Sequence, residues 1–218
     1  MDDSIPVLGV NSDPTQPEEV EELSEEFDAT RSAGYLCAAT VRNFDQMVDN
    51  ILEGSIVPSK LSRMSVYVNS KPLPTYALND VLIAHPCPAT VSRFSFRIRK
   101  DGQPFSALVN CRSSGLRVST AAGSTAAMLS AGGFTMPILS EDLQYMVREP
   151  ILHGEANARL MHGVVKHDES MGISWYCEDG LIYIDGSNVV SSIQHGDMIE
   201  LSSNAPVLNV FLPNRLLQ

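Results

Sequence analysis

A partial α/β domain followed by an all-β-rich domain with one inserted helix is the fold that the sequence predicts, and three observations carry it. Apolar residues recur at helical spacing in the opening stretch, alternate with polar ones after Pro58, and give way near residue 120 to a run of small residues. With 218 residues, 44% of them hydrophobic, and a mean hydropathy near zero, the chain can bury one large core or two small ones. The change of texture divides it at residues 1–58 and 59–218, with a return of the tail to the first domain as an alternative.

In chain order, Ile5 to Val10 reads as a short buried strand, and Thr15-Gln-Pro-Glu18 as a capping box opening a helix that reaches about Phe27. Phe44, Met47, Val48 and Ile51 repeat at helical spacing, and Gly54 is the stop. Met64, Val66 and Val68 then share one strand face, while Phe94, Phe96 and Ile98 alternate with Ser95, Arg97 and Arg99. Asp101-Gly102 and Asp179-Gly180 read as hairpin turns. Further strands are expected at 164–165, 174–177, 181–184, 198–201 and 207–212.

The most informative segment is Gly115-Leu-Arg-Val-Ser-Thr-Ala-Ala-Gly-Ser-Thr-Ala-Ala-Met-Leu-Ser130, where a strand breaks into small residues and restarts as a helix. Val118 ends the apolar run and Gly123 permits a tight turn. Ser124 or Thr125 then caps a helix running through Met128 and Leu129 to Gly132-Gly133. Free N–H groups at a small-walled helix start suit close approach by a ribose, phosphate or carboxamide. The alternative is an ordinary strand-to-helix connection.

Charge and cysteine content exclude several functions. Of the net charge of −11, ten acidic residues fall between Met1 and Asp28 without a Lys or Arg, which leaves 15 basic against 16 acidic residues elsewhere. The run Glu18-Glu-Val-Glu-Glu22 suits a solvated helix face, and nucleic acid is not an expected partner, since that affinity rests on clustered Lys and Arg. Cys37, Cys87, Cys111 and Cys177 are scattered without metal or disulfide spacing, as suits reduced thiols in a cytoplasmic protein. No apolar run approaches a membrane span, and Met1-Asp-Asp-Ser lacks the features of a signal peptide. His85, His153, His162, His167 and His195 are dispersed, so no histidine is assigned a catalytic role.

The junction segment resembles the Gly-Leu-x-Val-Ser-Thr-x-x-Gly-Ser-Thr-Ala signature of the NAD kinase family, and Ala77-Leu-Asn-Asp-Val81 resembles that family's second signature, Asn followed by an acid. The resemblance runs from Ile5-Pro-Val-Leu-Gly-Val-Asn-Ser-Asp13 to Val207-Leu-Asn-Val-Phe-Leu-Pro213. It is nearest to the plant NADH kinase branch in Leu82-Ile-Ala-His-Pro-Cys-Pro88, Val91-Ser-Arg-Phe-Ser-Phe96, Asn110-Cys-Arg-Ser-Ser114 and Leu143-Gln-Tyr-Met-Val-Arg-Glu-Pro150. It implies a partial Rossmann-like domain followed by a β-sandwich that carries most dinucleotide contacts. The family's Gly-Gly-Asp-Gly-Thr loop, which precedes the Ile-Pro-Val-Leu-Gly strand and supplies the acid that accepts the hydroxyl proton, is not in this sequence. The expectation is a chain lacking the family's front half, with no catalytic residue of its own.

Carried over by matching, the resemblance gives Asn79 a hydrogen bond to the dinucleotide and Asp80 the ribose hydroxyls. The local alternative is that both simply bond neighbouring backbone. Thr120, Thr125, Ala126 and Ser130 match positions lining the pocket, and Asp185-Gly186 matches an Asp-Gly near the site, or is only a turn. Two positions depart from the common pattern, Ser114 where an Asp is usual and Ala127 where a Tyr is usual. The plant branch shares both, and a neutral Ser114 is expected to relax the preference for NAD+ over NADH. The implied reaction is transfer of the ATP γ-phosphoryl to the adenosine ribose 2'-hydroxyl of NADH or NAD+, with Mg2+ between phosphates, in a homodimer. A truncated dinucleotide-binding or dimerisation module is the alternative; a lipid-kinase relative fits the architecture but not the Asn79-Asp80 pair.

Overall fold

The computed structural model of the protein describes residues 5–12, 34–152 and 158–217. The helix expected from Thr15 to about Phe27, the acidic run within it, and His153 lie outside the described residues.

Two compact units make up the chain, one formed by Met1–Lys60 with Val207–Gln218 and one by Leu61–Pro206. In the first, Val7–Leu8 pairs in parallel with Leu208–Phe211, Val7 opposite Val210, and Ser59–Leu61 flanks the other side of that tail strand. Val10–Asn11 pairs in parallel with Ala39–Thr40. Parallel pairs need crossovers, and this gives the unit its α/β character. The expected buried strand over 5–10 is instead two two-residue strands, with Ile5 64% and Val10 41% exposed. The helix Phe44–Leu52 follows the predicted spacing. Gly54, at φ +72°, ends it and donates its N–H to the Ile51 carbonyl at 3.1 Å.

The second unit is a β-sandwich of antiparallel sheets. The seven-stranded sheet runs in the order Val109–Ser113, Ser92–Lys100, Glu169–Trp175, Met198–Ser202, Ser65–Val68, Lys71–Pro72, with Gln103–Pro104 also paired to Ser92–Lys100. The six-stranded sheet runs His162–Val165, Leu143–Arg148, Gly115–Ser119, Asp80–Ala84, Asp179–Ile184, Val189–Gln194. Alternation puts Phe94, Phe96, Met171 and Ile173 of one sheet against Val81, Ile83, Leu116, Val118 and Ile182 of the other. The Phe96 ring meets Tyr145 of the facing sheet edge-on, centroids 5.3 Å apart.

Several sequence expectations are corrected. Asp101 and Gly102, both at positive φ, make the expected hairpin turn, but Asp179 and Gly180 begin a strand. Gly180 is there because a Cβ would lie 2.6 Å from the Trp175 indole, whose Nε1–H donates to the Asp179 carbonyl. The strand expected at 174–177 is Glu169–Trp175, and the Leu143–Arg148 and Val189–Gln194 strands were not foreseen. The inserted helix shrinks to a 3-10 turn, Ala122–Thr125, and one α-turn, Ala127–Ser130. Neither Ser124 nor Thr125 caps it: Ala126 holds the cap position with no side-chain bond. Among the described residues, no helix is long and apolar enough to cross a membrane.

Candidate functional site

The start of the Asp80–Ala84 strand, the end of Gly115–Ser119 with its following loop, and the corner after Asp179–Ile184 converge at one end of the six-stranded sheet. Asp185 at φ +50° and Gly186 at φ +102° form that corner. The Asp185 carboxylate accepts the backbone N–H groups of Leu78 (2.8 Å), Asn79 (2.7 Å) and Asp80 (3.1 Å), and its own N–H donates to the Asp80 carbonyl at 2.9 Å. Three N–H donors on one carboxylate make a rigid clamp.

From the other side, Thr120 grips the same segment. Its N–H donates to the Asn79 carbonyl at 3.0 Å, its buried hydroxyl donates to the Leu78 carbonyl, and that hydroxyl accepts the Gly123 N–H at 3.3 Å. Gly123 is needed for closeness rather than for turning, since a Cβ there would lie 2.0 Å from the Asn79 carbonyl oxygen. Ser124 turns inward, donating to the Ala121 carbonyl and accepting the Met136 N–H.

Asn79 and Asp80 are thus fixed through their backbones, which leaves their side chains for other work. The Asp80 carboxylate pairs with Arg117 of the neighbouring strand, both side chains 14% exposed. Burial pushes the Asp80 carboxyl above its ordinary range, Arg117 opposes this, and Asp185 adds to it. Thr125 is half-buried while Ala126 and Ser130 are exposed, the Ser130 hydroxyl donating to the Ala127 carbonyl at 3.0 Å. Ser114 stands apart. It lies at the opposite end of the Gly115–Ser119 strand, about 17 Å from Ser119 at ~3.3 Å per residue, with its hydroxyl on the Arg148 carbonyl.

Two contributors escaped the sequence reading. Gln144, fully buried opposite Ser119, donates to the Phe134 carbonyl (2.7 Å) and accepts the Phe134 N–H (3.0 Å), which ties down the chain after the α-turn. His162 Nε2 sits 3.0 Å from the same Gln144 oxygen, and burial lowers its pKa. Arg117 is the other; the signal for both was a polar residue inside an apolar strand run. Among the described residues no three His, Cys, Asp or Glu side chains gather to hold a metal ion.

No family model matches the chain. It is 62% identical over 218 residues to a "Probable NADH kinase" of Oryza sativa subsp. japonica, covering all of this chain and 67% of that one. It is 64% identical over 219 residues to an "NADH kinase" of Arabidopsis thaliana, of which it covers 69%. A crystal structure of yeast NADH kinase complexed with NADH superposes with a TM-score of 0.70 at 16% identity, over 84% of this chain and 52% of that one. The chain therefore spans about two thirds of the length of these plant relatives and about half that of the yeast enzyme. Identity above 60% to plant NADH kinases over the whole of this chain, together with the shared fold, establishes that the chain belongs to the NAD kinase family, on its plant NADH kinase branch.

Proposed function

We propose that this protein binds a nicotinamide dinucleotide against Asn79, Asp80 and the loop 120–126, for transfer of the ATP γ-phosphoryl to the adenosine ribose 2'-hydroxyl. NADH gives NADPH and NAD+ gives NADP+. The 2'-oxygen forms the new bond to phosphorus, the bond from that phosphorus to the β-phosphate oxygen breaks, ADP leaves, and a base takes the hydroxyl proton. The names of the plant relatives support the substrates.

The observation that carries the reading is the double clamp, Asp185 on one side and Thr120 on the other, that fixes the backbone of 78–80 while leaving the Asn79 carboxamide and one Asp80 oxygen available. Such a fixed pair holds ribose hydroxyls with little ordering cost on binding. In this reading Asn79, Asp80, Thr125, Ala126 and Ser130 touch the ligand, while Thr120 and Asp185 position them. Among the described residues no cluster of side chains would cage Mg2+, so the ion would arrive with the ATP phosphates and its own waters and would supply charge neutralisation there. Ser114 lies at the other end of the Gly115–Ser119 strand, about 17 Å from Ser119 at ~3.3 Å per residue, away from the ribose hydroxyls given to Asp80. A homodimer, which the family resemblance implies, is the assembly that we infer. A cytoplasmic setting agrees with four free cysteines.

Titration of NADH into the purified protein tests the reading. Asn79→Ala is expected to weaken binding by about tenfold or more, since the lost hydrogen bonds have no substitute. Unchanged affinity in that variant would remove the site from this end of the sheet.

A further inference from the structure

We propose that Arg117 is a positioning residue for Asp80: its guanidinium takes one carboxylate oxygen and holds the other toward a ribose hydroxyl of the bound dinucleotide. This rests on the role given to Asp80 above.

The placement follows from the sheet. Leu116 and Val118 are fully buried in the sandwich core, so Arg117 between them points to the opposite face. Asp80 lies opposite Ser119 and Leu82 opposite Arg117, which makes Arg117 and Asp80 diagonal neighbours at a separation that a long side chain spans. Arg117 Nη1 meets Asp80 Oδ2, leaving Oδ1 for a ligand.

Stability does not account for the ion pair as a whole. The Arg117 Nε is buried with no hydrogen-bond partner among the described residues, and the Ser119 hydroxyl two residues on is in the same condition. Apolar side chains at both positions of the pair would leave no unsatisfied donor or acceptor, and burying an incompletely paired ion carries a desolvation cost.

What the guanidinium supplies is charge at the carboxylate. The groups facing Asp80 are Arg117 from the adjacent strand and Asp185 from the corner on the other side; the next strand offers neutral Gln144, with His162 beyond it. Burial and Asp185 both favour the protonated acid, and Arg117 is the cation that opposes them. A protonated Asp80 would offer a donor where a ribose hydroxyl needs an acceptor.

The test follows NADH binding by its fluorescence from pH 5 to 8 in the whole protein and in Arg117→Met, Arg117→Gln, Arg117→Lys and Asp80→Asn. Arg117→Met and Arg117→Gln are expected to weaken binding about tenfold at pH 7, the scale of one hydrogen bond to a charged group. They should also move the acid-side loss of affinity to higher pH, and Arg117→Lys should restore both. A purely packing role would leave the pH profile where it is. The Gln variant carries the test should the Met variant fail to fold. Wild-type affinity and pH profile in the Met and Gln variants, with weak binding in Asp80→Asn, would overturn the inference and leave Asp80's role standing. Wild-type binding in Asp80→Asn would overturn that role and the inference with it.

Discussion

Gly123 is held to glycine by the backbone that passes beneath it. A methyl group would sit 2.0 Å from the Asn79 carbonyl oxygen, a contact relieved only by moving either the loop or the strand start. Gly123→Ala should therefore destabilise the protein by about 2 kcal/mol or more, within the range of forced overpacking. It should also weaken NADH binding more than an equally destabilising core change, because it displaces Asn79 itself. Urea unfolding alongside NADH titration checks this, and a variant with native stability would contradict the close approach. Motif reading put a glycine here for a turn; its physical reason lies 44 residues upstream and is invisible to local sequence.

At the scale of the element, the strand-to-helix junction owes little to helix formation. Ala127–Ser130 is a single turn without a side-chain cap, and one turn has no standing stability in water. Tertiary bonds hold it: Ser124 with Met136, Thr120 with Leu78, and Gln144 with Phe134. His162 extends this set, since its Nε2 meets the Gln144 oxygen that already accepts Phe134 N–H, so the imidazole donates there. Burial lowers the His162 pKa below 6.5, so the unfolded chain takes up the proton first. Stability is then full above pH 6.5 and declines as the pH drops below it. The urea midpoint should fall between pH 7.5 and 5.5, and His162→Gln should flatten that fall. An identical fall in the variant would assign it to other groups.

At the scale of the whole molecule, the sandwich core is what keeps the two sheets in register with the site. Phe96 belongs to one sheet and its ring packs edge-on against Tyr145 of the other, two strands from Asp80. Phe96→Ala should cost about 3–5 kcal/mol, the usual range for emptying an aromatic site in a core. Equilibrium unfolding would show it, and a loss under 1 kcal/mol would mean that the sheets are not coupled there. Asn79, Asp80, Thr120 and Asp185 gather at the ends of three neighbouring strands of one of those sheets.

The sequence by itself determined the alternating texture after Pro58, the helix from Phe44 to Leu52, the Asp101-Gly102 turn and the family, because each rests on local periodicity, turn chemistry or a contiguous motif. It named Asn79 and Asp80 from two adjacent letters. Only the tertiary structure decided that Asp185 and Thr120 spend their side chains on the backbone of 78–80, that Arg117 pairs with Asp80 and Gln144 with the Phe134 backbone, and that Ser114 stands at the far end of its strand. It also decided that Gly180 serves Trp175 and that the tail strand pairs with Val7–Leu8. Each of these depends on which residues lie opposite one another across strands. Register is a property of pairing between distant segments, and no window of the chain carries it.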